Sequence, residues 1–518
     1  MTDIDELLSE YIEQEKILNT DNSSAAADDA AAAAAATTTD TPTDLTETTD
    51  NYFARTQEYY KQMSFHDMFC AIYFTLHSGY ICCTEYLKYR TGWKSKTNAI
   101  IDVSKRLATI NMMYVKIFQA FATNRNILSP ELNKFFNDYT DNVEYTDREY
   151  NDEDLIELER KSVECYPYKP IKILNNRKPI KSGLMSLIFK GQFVDDDGAG
   201  EYIAIKYLRN DIITNFNTSM NNLVVFAKLT KYIPYIRTLN IETVILQNIV
   251  SLKDQVCFRK EVTNIQQYYK SWKDCDYVKI PQPYSEFTEK INPNIIVMEF
   301  INGMKITEID SEDNDRFGKI LASFNAKAAF CNSIYHGDLH PGNILFIKDM
   351  SASSTSSASY KIGILDFGII GNLTRLDQEL LFKCAKLAYQ KKYKRAVHMI
   401  LTEMSEDLNP NYNIMKKSSI INPADELFNK IHGELHAVIV ECSTPEIKFL
   451  GVTEMYTINY ILNKYNLTFR RSLYRLFITV AIMDSIATKL GSEMSYMQHM
   501  TDVVIDLFGI DAGNFVDD

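Results

Sequence analysis

The sequence predicts an α+β protein of two lobes, a β-rich lobe followed by a mainly helical one. Three observations predict it. Short β-type runs crowd between Ile171 and Tyr207. Helical periodicity takes over after Thr307, interrupted by one pair of strand-like runs. The segments richest in polar, chemistry-bearing residues, 336–343 and 366–368, flank that pair, where the two lobes would meet.

The elements follow in chain order. Residues 1–50 form a low-complexity tail with a broken alanine run from Ala25 to Ala36 and no apolar face to bury. Residues 51–166 read as a helical extension, with Tyr, Phe, Ile and Leu recurring every three or four positions. Ser129-Pro130-Glu131 has the form of a helix start. Residues 167–302 form the β-rich lobe: strands at Ile171–Leu174, Leu187–Phe193 and Tyr202–Tyr207, and a buried strand at Ile295–Met298. Asp195-Asp196-Asp197-Gly198 is a hairpin turn signal between the second and third. A helical insertion, Thr218 to Trp272, interrupts this lobe. Residues 303–518 are helical apart from Ile344–Ile347 and Tyr360–Leu365, which flank a Ser-rich loop.

Bulk properties exclude some functions. A chain of 518 residues, 46% hydrophobic, can bury a sizeable core. Its net charge of −13 argues against a nucleic-acid binder, which would carry a basic footprint. The nine cysteines include no C-x-x-C pair, a pattern of reduced thiols in a cytosol-like compartment. His432 and His436 share a helix face with Cys442 near by, but without a second Cys pair a metal site is not expected there. Asp3, Asp5 and Glu6 stand where a signal peptide or mitochondrial presequence needs positive charge, so a cytoplasmic location is expected. The run Phe69–Cys83 is short for a spanning helix and reads as a buried or membrane-surface helix, which leaves a peripheral lipid contact open.

The chemistry lies in His336-Gly337-Asp338-Leu339-His340-Pro341-Gly342-Asn343, followed after 22 residues by Asp366-Phe367-Gly368. Phosphoryl transfer from a nucleotide needs a group to take the acceptor's proton and oxygen ligands for Mg²⁺. Asp338 suits the first task, and Asn343 and Asp366 the second. Order and spacing match the protein-kinase arrangement H-x-D-x-x-x-x-N and D-F-G, and with it a two-lobed protein-kinase-like fold binding ATP and Mg²⁺. Lys206, in Ala204-Ile205-Lys206, takes the position of the lysine that pairs with the α- and β-phosphates, and Glu261 is its candidate helix partner. Met298-Glu299-Phe300 would be the hinge against adenine. The loop before Lys206 has one glycine, Gly183, so fewer N–H groups close freely over phosphates, and Lys181 could add a charge there.

These motifs resemble the UbiB/ADCK atypical kinase-like proteins associated with coenzyme Q biosynthesis. The H-G-D-x-H-P-G-N form of the catalytic loop, Leu365-Asp366-Phe367-Gly368-Ile369-Ile370-Gly371 and the absence of A-P-E are that family's versions, and the resemblance runs roughly from Asn98 to Gly491. It implies a K-x-G-Q helix packed over the active site, matched by Lys116-Ile117-Phe118-Gln119, so that Lys116 and Gln119 would be regulatory. Phe118 replaces the family's Gly, and Gln255-Val256-Cys257 replaces its E-x-D. The family's accessory motifs favour ATPase-like behaviour over protein phosphorylation. The expected function is an ATP- and Mg²⁺-dependent atypical kinase or ATPase, which the resemblance alone places in support of lipid or quinone metabolism. A catalytically weak nucleotide-binding scaffold and a Ser/Thr protein kinase are the alternatives; the sequence names no protein partner.

Overall fold

The computed structural model describes residues 65–111, 145–165, 170–194, 200–210, 256–349, 359–407, 425–442, 452–491 and 496–508, with a few single residues between them. The hairpin signal at 195–198, the Ser-rich loop, most of the helical insertion and the Ser129-Pro130 helix start lie outside them. The chain divides into two compact units, one of residues 1–111 and 217–246, the other of 112–216 and 247–518.

The first unit holds a helical hairpin, α1 (Phe65–Arg90) and α2 (Lys96–Ile110). Gly92, at φ +80°, supplies the left-handed turn that ends α1. Ser95 caps α2 by accepting from the Asn98 N–H at 3.2 Å. Phe74, Ser78, Ile81 and Glu85 bury the inner face of α1. Glu85 accepts from Lys88, Lys94 and Arg106 at 2.6, 2.7 and 2.9 Å, and the hydrogen bonds from Lys88 and then Lys94 hold its carboxyl well below the usual range.

The second unit carries the two lobes. Its β-rich lobe is a five-stranded antiparallel sheet: β1 (Ile171–Ile173), β2 (Lys181–Ser182), β3 (Ser186–Phe193), β4 (Tyr202–Leu208) and, after β5 (Val278–Lys279), β6 (Ile295–Glu299). The order is β1-β3-β4-β6, with β2 also on β3. Alternation along β4 decides which face does what. Ile203, Ile205 and Tyr207 enter a core with Phe189, Val297 and Leu155 and Leu158 of α3 (Asp152–Cys165). Lys206 is thereby turned to the opposite face. Leu155 and Leu158 are fully buried, each stabilising by about 1.5–3 kcal/mol. α3 is bound at its other contacts as well: Ser162 Oγ accepts from the Ile171 N–H at 2.9 Å and Tyr207 donates to Asp154 at 2.6 Å. Helix α4 (Phe258–Trp272) carries Glu261.

The helical lobe contains α5 (Asn314–Lys327), α6 (Arg375–Tyr389), α7 (Tyr393–Met399), α8 (Glu426–Cys442), α9 (Val452–Lys464), α10 (Arg471–Leu490) and α11 (Tyr496–Phe508). α5 buries Phe317, Leu321 and Phe324, and its Asn325 donates to the Tyr496 hydroxyl at 2.6 Å. The expected strand pair is present as β8 (Ile344–Asp349) and β9 (Ser359–Ile364), with β5 parallel to β9. Two further short pairs were not expected: β7 (Ile334–His336) with β10 (Ile370–Asn372), and β11 (Ser405–Asp407) with β12 (Leu467–Phe469). Each strand has three residues, too few to show a period of two; distant partners define them. The layout is a two-lobed, protein-kinase-like α+β fold.

The run Phe69–Cys83 is part of a 26-residue helix that is buried on one face only, through Phe74, Ser78 and Ile81, and open on the other, so the expectation of a fully buried helix is corrected to a half-buried one. No helix among the described residues is long and apolar enough to cross a membrane. His432 and His436 stack at 6.3 Å on α8, with His432 against the Lys394 carbonyl at 3.0 Å.

Candidate active site

Lys206 is the centre of the site. β4 delivers it between Glu261 of α4, 2.5 Å away, and Asp366 after β9, 3.0 Å away. The lysine is 7% exposed and Glu261 1%, whereas Asp366 keeps 35% of its side chain open and is the carboxylate a ligand can reach. Burial alone would lower the lysine, but Asp366 and then Glu261 outweigh it and hold the ammonium well above its ordinary value. Burial would raise Asp366, yet Lys206 and the Gly368 N–H, donated to Oδ1 at 2.9 Å, hold it far below. Glu261 is pushed up by burial, partly offset by Lys206, and its second oxygen meets no partner.

The catalytic loop is built around His336, which is fully buried. Its Nε2–H donates to the Asp366 carbonyl, and its Nδ1 accepts from the Asp338 N–H at 3.1 Å. These partners fix a neutral tautomer, and burial pushes the imidazole pKa down in agreement. The rings of Tyr268 and Phe367 pack on it at 6.2 and 5.7 Å. His340 Nδ1 accepts from the Gly342 N–H at 3.2 Å, and Pro341 opens a single helical turn ending at Asn343. Asn343 donates its amide N–H to the Asp338 carbonyl at 3.0 Å, so its amide oxygen is the atom left for a cation. An ionised carboxylate and an amide oxygen form a donor set that suits Mg²⁺.

The phosphate-side loop is tightly held. Gly183 donates its N–H to Ser186 O at 2.9 Å, closing a tight turn. Ser182 exchanges two bonds with Val143: its hydroxyl donates to the Val143 carbonyl at 2.5 Å, and its own carbonyl accepts the Val143 N–H at 3.1 Å. Arg209 donates to Ser182 Oγ at 2.6 Å and pairs with Glu149. Lys181 reaches across to the helical lobe and donates to the Gly342 carbonyl at 2.7 Å. In the hinge, the N–H groups of Glu299 and Phe300 donate to Gln282 O and Tyr202 O at 2.8 and 3.1 Å, and Met298 pairs with Ala204 in the sheet. Lys116, Phe118, Gln119 and Gln255 lie outside the described residues; Cys257 is the exposed residue preceding α4.

Three supports went unnoticed in the sequence. Asn264 donates to the Phe367 carbonyl at 2.8 Å; its place one turn after Glu261 was the available signal. Thr479 of α10 donates to the His336 carbonyl at 2.8 Å, and Val143 holds Ser182. Neither carries a local signal, since both are contacts across long chain separations.

The chain resembles known proteins. Residues 149–400 match the ABC1 atypical kinase-like domain. The "Probable protein kinase UbiB" of Glaesserella parasuis is 26% identical over 318 residues, 58% of this chain and 54% of the relative. That of Cronobacter sakazakii is 26% identical over 243 residues, 46% and 42% of the two chains. The chain thus spans about half the length of the curated relatives it matches. Among solved structures, the Rv3197–erythromycin complex from Mycobacterium tuberculosis aligns with a TM-score of 0.40 at 14% identity, covering 68% of this chain and 88% of that one. The Rio2 kinase–ADP/Mg²⁺–phosphoaspartate complex from Chaetomium thermophilum aligns at 0.27 and 13% identity, covering 68% and 94%. The matched region contains the whole Lys206, Glu261, Asp338, Asn343 and Asp366 set, and over it the chain is similar to the atypical kinase-like domain found in proteins named UbiB.

Proposed function

We propose that this chain binds ATP with Mg²⁺ between its β-rich and helical lobes and performs phosphoryl chemistry there, as an atypical kinase or ATPase. The observation that carries this reading is Lys206, a buried ammonium held by one inaccessible and one accessible carboxylate. Such a lysine is positioned to meet nucleotide phosphates without searching rotamers. Asp366 and the Asn343 amide oxygen would hold Mg²⁺, which when bound spreads and neutralises phosphate charge. Asp338 takes the proton of an attacking hydroxyl or water, its loop fixed by His336 and Asn343. Adenine would lie along Met298–Phe300, met by backbone groups other than the Glu299 and Phe300 N–H groups, which are already donated. A role in lipid or quinone metabolism rests on the family resemblance.

A nucleotide-binding scaffold with weak turnover is the second reading. The phosphate-side loop favours it, because the Gly183 N–H and the Lys181 ammonium both donate inside the protein. ATP hydrolysis and autophosphorylation, measured for wild type and Asp338→Asn, separate the two. The enzyme reading expects Mg²⁺-dependent phosphate release that falls about 10²–10⁴-fold in the variant. It is lost if release is unchanged by the substitution. Nucleotide–Mg²⁺ should raise the melting temperature of both proteins under either reading; no shift in either rejects the nucleotide site itself.

A further inference from the structure

α1 has two apolar faces and uses one. Its inner face packs within the hairpin unit through Phe74 and Ile81, 4% and 1% exposed. Phe69, Tyr73, Leu76, Tyr80 and Leu87 recur at three, four or seven positions on the other side and so share one face. They are 60–69% exposed, and Ile72 and Cys83 fall on the same stripe. No charged residue interrupts it. From Phe69 to Leu87 the stripe is about 27 Å long at 1.5 Å per residue. Trp93, in the turn that follows, is 82% exposed. A continuous apolar face of this kind marks a docking surface.

Charge selects the occupant. The hairpin, residues 65–111, holds six basic residues and three acidic ones, in a chain whose net charge is −13. One of the three acids, Glu85, is buried beneath Lys88, Lys94 and Arg106. Arg90, Lys94 and Lys96 gather around Trp93 at the turn. A second copy docking on this face would bring two basic hairpins together, and they would repel. An anionic surface would be attracted. The stripe also mixes Tyr and Trp with Leu and Ile, and amphipathic rings are favoured where one end is apolar and the other wet.

We propose that α1 and its turn dock on an anionic lipid bilayer, with the helix lying along the headgroup–acyl boundary. The apolar stripe enters the acyl region, Trp93 anchors the turn, and Arg90 and Lys96 meet lipid phosphates and carboxylates. Every residue involved lies in the hairpin, so this inference stands apart from the nucleotide reading and does not depend on it.

The chain has two tryptophans, Trp93 and Trp272, and the second is 1% exposed and stacked on Phe324 at 4.7 Å. The change in native fluorescence of the full chain on adding vesicles therefore reports on the turn, against a constant background from Trp272. With phosphatidylcholine–phosphatidylserine vesicles, Trp93 emission should shift to the blue and be quenched by brominated acyl chains; Trp93→Phe should lose that response. Phosphatidylcholine alone should give little binding. The double variant Leu76→Glu/Leu87→Glu alters only open side chains and should keep the wild-type circular dichroism while binding about tenfold more weakly or worse. Equal vesicle binding by this variant, or no quenching by anionic vesicles, overturns the proposal. So does a lipid-free dimer that dissociates in the double variant, which would make the occupant a second copy.

Discussion

At the scale of single residues, the site depends on which of its buried groups carry charge. Lys206 and Asp366 are charged, while His336 is neutral and serves as a hinge-pin between the catalytic loop and the Asp366 backbone. That neutrality has a pH signature. An unfolded histidine takes up a proton near pH 6.5, whereas burial pushes the folded His336 below that value. Folding stability from this site is therefore full above about pH 6.5 and falls as pH drops below it, because the unfolded chain binds the proton first. His336→Asn should melt lower at neutral pH, yet lose less melting temperature than wild type between about pH 7.5 and 5.5. Parallel pH slopes for the two proteins would show that His336 does not titrate in this way. The Lys206–Glu261 pair obeys a different rule. Removing one member of such a buried pair costs about 3–5 kcal/mol, since the other charge stays behind.

At the scale of elements, the short β7–β10 ladder matters more than its length suggests. It brings His336 opposite Ile370 and Tyr335 opposite Gly371, so the catalytic loop leaves one strand as the residues after Asp366 enter the other. Tyr335 lies directly over Gly371, where a Cβ would fall inside its ring. Gly371→Ala should therefore displace Tyr335 and destabilise by about 1–3 kcal/mol, measured by urea unfolding. A loss below about 0.5 kcal/mol, the range of neutral surface changes, would mean that the ladder yields freely. This pair also shows where the sequence was silent. The three longer strands of the sheet, β3, β4 and β6, the β8–β9 pair and the short β1 were visible as apolar runs bounded by turn residues. Ile334-Tyr335-His336 and Ile370-Gly371-Asn372 have no pattern of their own and become strands through each other. The polar cluster was visible as spacing, because the phosphate and metal binding proposed for it would require fixed residue types at fixed intervals. Its supports were invisible, because Thr479, Asn264 and Val143 need only present one hydrogen-bonding group from the right place.

At the scale of the whole molecule, the two units divide the chemistry. All the proposed nucleotide residues lie in 112–216 and 247–518, while the basic hairpin lies in the other unit. Hydrogen exchange followed by mass spectrometry should therefore show ATP–Mg²⁺ protecting peptides around Lys181–Ser186, Lys206, His336–Asn343 and Asp366–Gly368, with residues 69–110 unchanged. Protection of the hairpin, or none at the catalytic loop, would contradict that division.

The bonds from Val143 to Ser182 and from Thr479 to His336 have a consequence for where this domain begins and ends. The region that matches the family, 149–400, excludes both residues. A chain trimmed to it would keep every charged side chain of the site. It would still lose the backbone partner that steadies the phosphate-side loop from one end and the hydroxyl that steadies the catalytic loop from the other. Ancestry and mechanics draw different outlines here: the inherited core holds the reagents, and the clamps that hold the core still come from the sequence on either side.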